Sequence, residues 1–296
     1  MGLLGVDPHR ARVARDEALY LLVLRFSDVG LHGANIAKPV GLDQGWRGPL
    51  PAVAPTSRAN RRSRPAATIP AVSSPEHEIK YVLPEPRSGM VEAFLSRVCL
   101  PDPQYPDTIV ASLYFDTPGL HLLRQKINSD YLKTKIRLRW YEEPGGEAPG
   151  PAFAEAKFRI GTRRRKLRLE TEYSAAWLKQ QPLTRPELAL LPRLLQELGA
   201  PLPQPMLPLV EVRYRRRRYV EPLSGSRIAL DTDLSVGRSN PVLAPRHTGQ
   251  VPAGAVLEVK GKDFHLPATL AAVGAFGCRR RSFSKYHACF QGLRPA

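Results

Sequence analysis

The chain contains few cysteines, and their spacing argues against a covalent or metal-bound framework. Only Cys99, Cys278 and Cys289 occur among 296 residues. This odd number, without a C-x-x-C pair, makes a disulfide scaffold or a structural zinc site unexpected. We interpret all three as small buried side chains on helices or turns.

Two common motifs of nucleotide and metal binding are also missing. The sequence has no G-x-x-x-x-G-K-[ST] loop, which excludes a P-loop fold as far as motifs allow. Its seven histidines are scattered and form no H-E-x-x-H or similar ligand spacing. His77 lies between two glutamates and should point away from both, which favours a packing role.

Long apolar runs are absent as well. The run Ala18–Leu24 is far too short to span a bilayer. It also lacks the cationic start and the small-residue cleavage site of a secretory signal. We therefore expect a cytoplasmic protein without a transmembrane segment.

Acidic residues are scarce relative to basic ones. The chain has 27 Asp and Glu against 44 Lys and Arg, which gives a net charge of +17. Because 43% of the residues are apolar, the protein should be globular. Such a charge indicates a polyanionic partner, either a nucleic acid, an anionic membrane surface or a phosphate-rich small molecule.

The positive charge is concentrated in the later part of the chain. Residues 1–75 hold 10 basic and 5 acidic residues, which leaves +12 for residues 76–296. Segments such as Pro51–Pro75 lack periodicity and are rich in Pro, Ala, Ser and Arg. They predict a disordered leader or an overextended start of the reading frame over 1–75. We expect one folded domain over 76–296.

Eight segments of this domain have the alternation of apolar and polar residues that is typical of strands. They are 76–82, 109–116, 131–141, 152–160, 166–173, 209–220, 226–233 and 255–261. Helical spacing is found over 89–99, 119–127, 175–180, 186–198, 267–275 and 284–292. The predicted fold is therefore α+β, an eight-stranded antiparallel β-barrel with peripheral helices.

One face of several predicted strands is unusually basic. Since successive side chains point to opposite faces, Lys133, Lys135, Arg137 and Arg139 share one side of their strand. Four other predicted strands carry both cations and glutamates on one face. Their residues are Glu76, Glu78 and Lys80; Glu155, Lys157 and Arg159; Lys166, Arg168, Glu170 and Glu172; and Glu258, Lys260 and Lys262.

A solvated outer face over an ordinary core would explain any one of these strands. It explains five such strands less well, because like charges opposite one another destabilise a sheet. A bound phosphate chain would account for the cations, and a hard divalent cation that accompanies phosphate would account for the glutamates. The pattern favours an anion-binding interior. Nucleic acid fits less well, because stacking aromatics are not interleaved with the basic positions.

The strand motifs resemble a known superfamily. Glu76–Lys80 has the E-x-E-x-K pattern that is the signature of triphosphate tunnel metalloenzymes. Further segments resemble the VTC domain branch of that superfamily, in the family's order over roughly 76–292. They are Ser112–Pro118, Lys135–Tyr141, Glu155–Lys157, Tyr214–Tyr219, Arg227–Asp233, Leu257–Lys260 and Phe283–Tyr286.

The resemblance implies a function as well as a fold. It implies an eight-stranded tunnel that binds ATP or another nucleoside triphosphate, with Mn²⁺ or Mg²⁺ as cofactor. Eukaryotic VTC members transfer the terminal phosphoryl group of ATP to a growing inorganic polyphosphate chain. With water as acceptor the same site would be a triphosphatase, and without turnover it would be a polyphosphate-binding module. A membrane-associated partner protein and the oligomeric state are left open.

The resemblance also implies roles for particular residues. The phosphate-holding catalytic residues would be Lys80, Arg137, Arg139, Lys157, Arg216 and Lys285. Further substrate-binding residues would be Tyr214, Lys135, Lys166, Arg168, Lys260 and Arg281. The metal ligands would be Glu258, Glu78 and Glu76, led by Glu258.

Two of these assignments have open alternatives. Arg216 has neighbouring arginines at 215, 217 and 218. The phosphate-holding arginine could therefore be one that lies one or two positions from Arg216. The run Arg279–Arg281 fits either a solvated basic segment or a cap on the tunnel entrance.

Overall fold

The computed structural model describes residues 77–293 except 149, 162, 204, 245–248 and 252–253. The predicted leader over 1–75 and the predicted ligand Glu76 lie outside the described residues.

All eight predicted strands are present, together with three short ones that the sequence did not indicate. The strands are β1 (His77–Leu83), β2 (Leu100–Pro101), β3 (Asp107–Asp116), β4 (Leu132–Glu142), β5 (Pro151–Ile160), β6 (Arg163–Ser174), β7 (Leu207–Val220), β8 (Arg227–Ser239), β9 (Gly249–Gln250), β10 (Ala255–Gly261) and β11 (Arg279–Arg280). They form one sheet in the order β11-β1-β10-β8-β7-β3-β4-β5-β6, with β2 on β7 and β9 on β8. The pairs are antiparallel, as predicted.

The prediction of a closed barrel was wrong for the described part of the chain, where β1 and β6 share no backbone pairing. One reason is that β11 occupies part of the outer edge of β1, opposite Tyr81 and Val82. The sheet nevertheless curls enough for side chains of β6 and β1 to approach each other across the gap between these two strands. Arg164 Nη1 on β6 lies 3.6 Å from Glu78 Oε2 on β1. The molecule therefore has a concave inner face that is open along one side.

The helices are short and lie mostly outside the sheet. They are α1 (Ser88–Val98), α2 (His121–Ile127), α3 (Ala175–Gln180), α4 (Pro186–Leu190), α5 (Arg193–Glu197) and α6 (Lys285–Gly292). The helix predicted over 186–198 is two helices, because Pro192 cannot continue the first one. The segment predicted over 267–275 is a 3₁₀ helix, Ala268–Phe276. Across the described ranges, every helix is too short or too polar to span a bilayer.

The apolar sides of the strands face outward and are covered by these helices. Leu113 and Ile136 pack in a cluster that includes Leu178 of α3. On the other half of the sheet, Leu257 packs in a cluster with Leu95 of α1. Because alternate residues point to opposite faces, this packing directs the charged residues of the same strands to the concave side.

Helix α6 packs against the concave side. Ser284 caps its first turn by accepting a hydrogen bond from the His287 backbone N–H. Tyr286 stacks on Tyr114 of β3 with ring centroids 4.6 Å apart, and its hydroxyl donates to Asp116 Oδ2 at 2.8 Å. These contacts fix the helix and place the first helical residue, Lys285, toward the charged interior.

Candidate functional site

The concave face gathers most of the charged residues that the sequence singled out. Its cations include Lys80, Lys135, Arg137, Arg139, Lys157, Arg164, Lys166, Arg168, Arg216, Lys260 and Lys285, and its acids include Glu78, Glu155, Asp231 and Glu258. The curvature brings distant strands together. Lys80 on β1 lowers the pKa of Lys135 on β4, although four strands separate them in the sheet.

Glu258 on β10 is the centre of one cluster. Its Oε1 accepts hydrogen bonds from Lys80 Nζ at 2.9 Å and Lys285 Nζ at 3.1 Å, and its Oε2 accepts from Arg216 Nη2 at 2.7 Å. Burial acts to raise the pKa of this carboxyl group, but the three cations hold it well below its usual range. Glu258 is therefore ionised and paired on both oxygens.

A second buried acid completes this cluster. Asp231 on β8 accepts from Arg216 Nε at 2.5 Å and Nη2 at 2.6 Å, and Lys285 Nζ lies 2.5 Å from its Oδ2. We call this set of five residues the Glu258 network: Lys80, Arg216, Asp231, Glu258 and Lys285. Asp231 lies in the segment Arg227–Asp233, which resembles the VTC domain, but the motif predicted no role for this residue. Its alternation with buried apolar residues on β8 could have indicated an inward position.

The structure separates Arg216 from its neighbouring arginines. Arg215 Nε donates to Asp107 Oδ1 at 3.0 Å, and Arg217 Nη1 lies 2.6 Å from Glu92 Oε2 on α1. Both alternate with Arg216 along β7 and so point to the other face of the strand. Among these three, Arg216 is the arginine that enters the Glu258 network.

Glu155 on β5 is the centre of a second cluster that the sequence analysis did not assign. Its Oε2 accepts from Arg137 Nε at 2.8 Å and Nη2 at 2.5 Å. Lys166 and Arg168 lie 3.0 and 3.5 Å from its Oε1. Burial would raise the pKa of Glu155, and the nearby cations hold it far below its usual range. Three predicted phosphate-binding side chains thus share one internal carboxylate.

Three side chains of β4 and β5 that were predicted to bind phosphate have no carboxylate within ion-pair distance in the described ranges: Lys135, Arg139 and Lys157. Arg139 donates to the hydroxyl groups of Ser112 and Tyr214 at 3.0 and 3.3 Å. Lys135 Nζ donates to Ser284 Oγ at 3.0 Å. We call these three residues the unpaired cations.

The pKa values of the two lysines among them are lowered. Burial and the nearby charges of Lys80 and Arg137 lower the pKa of Lys135 to about 8. The pKa of Lys157 falls well below its ordinary value, first because of the positive charge of Arg137. A bound polyanion would relieve both effects, because an opposite charge favours the protonated form.

Glu78 on β1 and Glu258 on β10 direct their carboxylates to the same point of the concave face. Glu78 Oε1 and Glu258 Oε1 lie 3.2 and 2.9 Å from the same atom, Lys80 Nζ. Within the described residues, no group of three or more His, Cys, Asp or Glu side chains is placed to hold a metal. Two converging carboxylates fit Mg²⁺ or Mn²⁺ when phosphate oxygens and water supply the other ligands.

Arg281 does not join either cluster. Its backbone N–H donates to Lys80 O at 3.0 Å, but its side chain is exposed and lines a separate cavity with Arg87 and Arg279. By contrast, Lys260 stands opposite Glu78 in the β1–β10 register, on the concave face.

Two predictions away from the site are in accord with the structure. His77 packs against Phe264, with ring centroids 3.4 Å apart. The three cysteines are buried, and burial raises the pKa of each thiol, to about 11 for Cys99 and Cys278 and about 12 for Cys289.

Comparisons with known proteins find a matching family model and similar solved structures. The family model described as the VTC domain matches residues 75–294. A search of curated proteins finds no match to this chain. Among solved structures, a candidate adenylate cyclase from Vibrio parahaemolyticus is similar with a TM-score of 0.39 and 14% identity, covering 73% of this chain and 97% of that one. A candidate adenylate cyclase from Bacillus halodurans has a TM-score of 0.44 and 13% identity, covering 71% of this chain and 94% of that one.

Proposed function

Because this chain belongs to the VTC domain family, we propose that it transfers the terminal phosphoryl group of a nucleoside triphosphate, ATP, to a growing inorganic polyphosphate chain. The observation that carries this proposal is the set of unpaired cations beside the Glu258 network. Within the described part of the chain, no carboxylate lies within ion-pair distance of these side chains, and a row of phosphate groups would supply the counter-charge.

The proposed reaction needs little covalent chemistry from the protein. An ionised terminal oxygen of polyphosphate forms a bond to the γ-phosphorus, and the bond to the β–γ bridging oxygen breaks. ADP leaves with that electron pair, so no general base is required. The protein accelerates such a step by positioning the reactants and neutralising their charge.

Different residues of the site would bind the phosphate groups and the divalent cation. The unpaired cations would bind the non-bridging phosphate oxygens directly. Tyr214 already accepts a hydrogen bond from Arg139, so its own hydroxyl proton is available to a phosphate oxygen. Glu78 and Glu258 would hold the divalent cation. When bound, that cation supplies further neutralisation of phosphate charge.

The decisive experiment incubates the purified full chain with ATP and Mn²⁺ or Mg²⁺ and follows ADP, orthophosphate and long-chain polyphosphate. We expect ADP and polyphosphate to form together. ADP with an equal amount of orthophosphate would instead identify a triphosphatase. Absence of turnover with either metal would contradict an enzymatic role and leave polyanion binding to be measured.

Triphosphate binding is expected to weaken as the pH rises through about 8, because Lys135 then loses its proton. A hydrogen bond to a charged group contributes about 1.5–3 kcal/mol, and the loss of one proton with a pKa of about 8 can lower affinity for tripolyphosphate by up to about tenfold between pH 7 and 9. Titration calorimetry should also detect proton uptake on binding near pH 8.

The Lys135→Gln variant should bind more weakly at pH 7 and lose most of this pH dependence. The matched control is Lys262→Gln, which removes an exposed lysine beyond the end of β10 and should keep the wild-type profile. An unchanged pH profile in Lys135→Gln would show that another group is responsible.

A further inference from the structure

We propose that a cavity formed by Arg87, Arg279 and Arg281 is a second phosphate-binding site, which a long polyphosphate occupies and a triphosphate does not reach. The cavity has a volume of about 440 Å³ and lies at the end of β1. The inference rests on the proposed substrate class, and it adds a site outside the clusters on the concave face.

The first argument is charge. All three arginine side chains are exposed, and none forms an ion pair or a side-chain hydrogen bond with another described residue. Elsewhere on the sheet, Arg216 and Arg217 each have a carboxylate partner. Three like charges around one cavity repel each other, and a bound anion would remove that repulsion.

The second argument is that backbone elements form the cavity and fix its arginines. Gly277 has a φ of 81°, and a Cβ there would lie 2.6 Å from Arg87 Nη1. Gly254 has a φ of 75°, and a Cβ there would lie 2.4 Å from Leu83 O. Glycine at both positions therefore permits the left-handed backbone and the close approach of these groups. Arg279 is fixed by its pairing with Val82 on β1.

The third argument is the position of the cavity next to the Glu258 network. The Arg281 backbone N–H donates to the carbonyl oxygen of Lys80, a member of that network. Val82 also lines the cavity, and it lies two residues beyond Lys80 on the same side of the strand. Two residues of a strand span about 7 Å. A phosphate chain that passes Lys80 and continues along β1 would therefore meet the three arginines.

The test compares two triple variants with equal net charge. One is Arg87→Gln with Arg279→Gln and Arg281→Gln; the other changes the exposed arginines Arg97, Arg124 and Arg193 to Gln. Binding of long-chain polyphosphate and of tripolyphosphate is measured by titration calorimetry at fixed salt. We expect the cavity variant to bind long-chain polyphosphate at least about tenfold more weakly than the control variant. The affinity of the two variants for tripolyphosphate should agree within about twofold.

The outcomes separate this inference from the proposed function. Equal losses of polyphosphate affinity in both triple variants would show a general charge effect and overturn the second site. An equal loss for tripolyphosphate and polyphosphate in the cavity variant would also overturn it, because the arginines would then belong to the triphosphate site. If the wild type lacks turnover but the length-dependent loss is observed, the second site stands and the polymerase proposal fails.

Discussion

Replacing Glu258 with glutamine is expected to lower the free energy of unfolding by about 3–5 kcal/mol, the cost of removing one partner from a buried ion pair. The change keeps the shape of the side chain but removes its charge. Arg216 and Lys285 would then keep Asp231 as a carboxylate partner, and Lys80 would keep Glu78. Urea denaturation at pH 7 and low ionic strength measures the loss.

Lowering the pH should reduce the difference in the free energy of unfolding between Glu258→Gln and the wild type. The pKa of Glu258 is depressed in the folded protein, so its contribution is fully present above the ordinary value of 4.5. That contribution is lost as the pH falls from there through the depressed folded value. The two unfolding free energies should therefore converge below about pH 4.5.

Two further measurements make the result specific. Tripolyphosphate is a proposed ligand of the folded state, so we expect it to stabilise both proteins in proportion to the logarithm of its concentration over Kd. The control Glu197→Gln removes an exposed carboxylate on α5 and should change stability by no more than about 0.5 kcal/mol. If Glu258→Gln is as stable as this control, the network does not carry the stability that its geometry implies.

Replacing Arg139 with glutamine is expected to lower turnover by about 10²–10³-fold and to leave the free energy of unfolding nearly unchanged. That factor is typical for removing one group that stabilises charge in the transition state. Among the described residues, Arg139 donates hydrogen bonds to hydroxyl groups alone. Its charge also lowers the pKa of Glu155, but that carboxylate keeps Arg137 and Lys166 as partners after the change. ADP release with saturating ATP and metal measures turnover, and urea denaturation measures stability.

The matched control for this experiment is Arg193→Gln on the outer surface of α5, which should keep wild-type turnover. Arg216→Gln should lower stability as well as turnover, because it removes a cation from both Asp231 and Glu258. Wild-type turnover in Arg139→Gln would exclude this residue from the phosphate site.

These two predictions depend on a difference between two arginines, Arg139 and Arg216, that the sequence motifs did not show. The resemblance assigned phosphate binding to Arg139 and Arg216 alike. In the structure, Arg216 is held by two buried acids, whereas Arg139 is held by two hydroxyl groups. We therefore expect Arg216 to organise the site and the charge of Arg139 to be available to a substrate.

The sequence by itself determined the strands and the chemistry of their faces. Alternation predicted all eight long strands and placed Lys135, Arg137 and Arg139 together, because the pleat makes the side-chain period two. It also indicated that the interior of the sheet is basic. The matched family model agrees with the motifs from which the family was inferred.

Only the tertiary structure decided which charges meet. Lys80 and Glu258 are 178 residues apart, and their contact depends on the pairing of β1 with β10. Alternation assigns a side chain to a face, but it contains no information on neighbouring strands or their register. For the same reason, the contacts of Asp231 and Glu155, the gap beside β1 and the exposure of Arg281 became visible only when the strands were assembled.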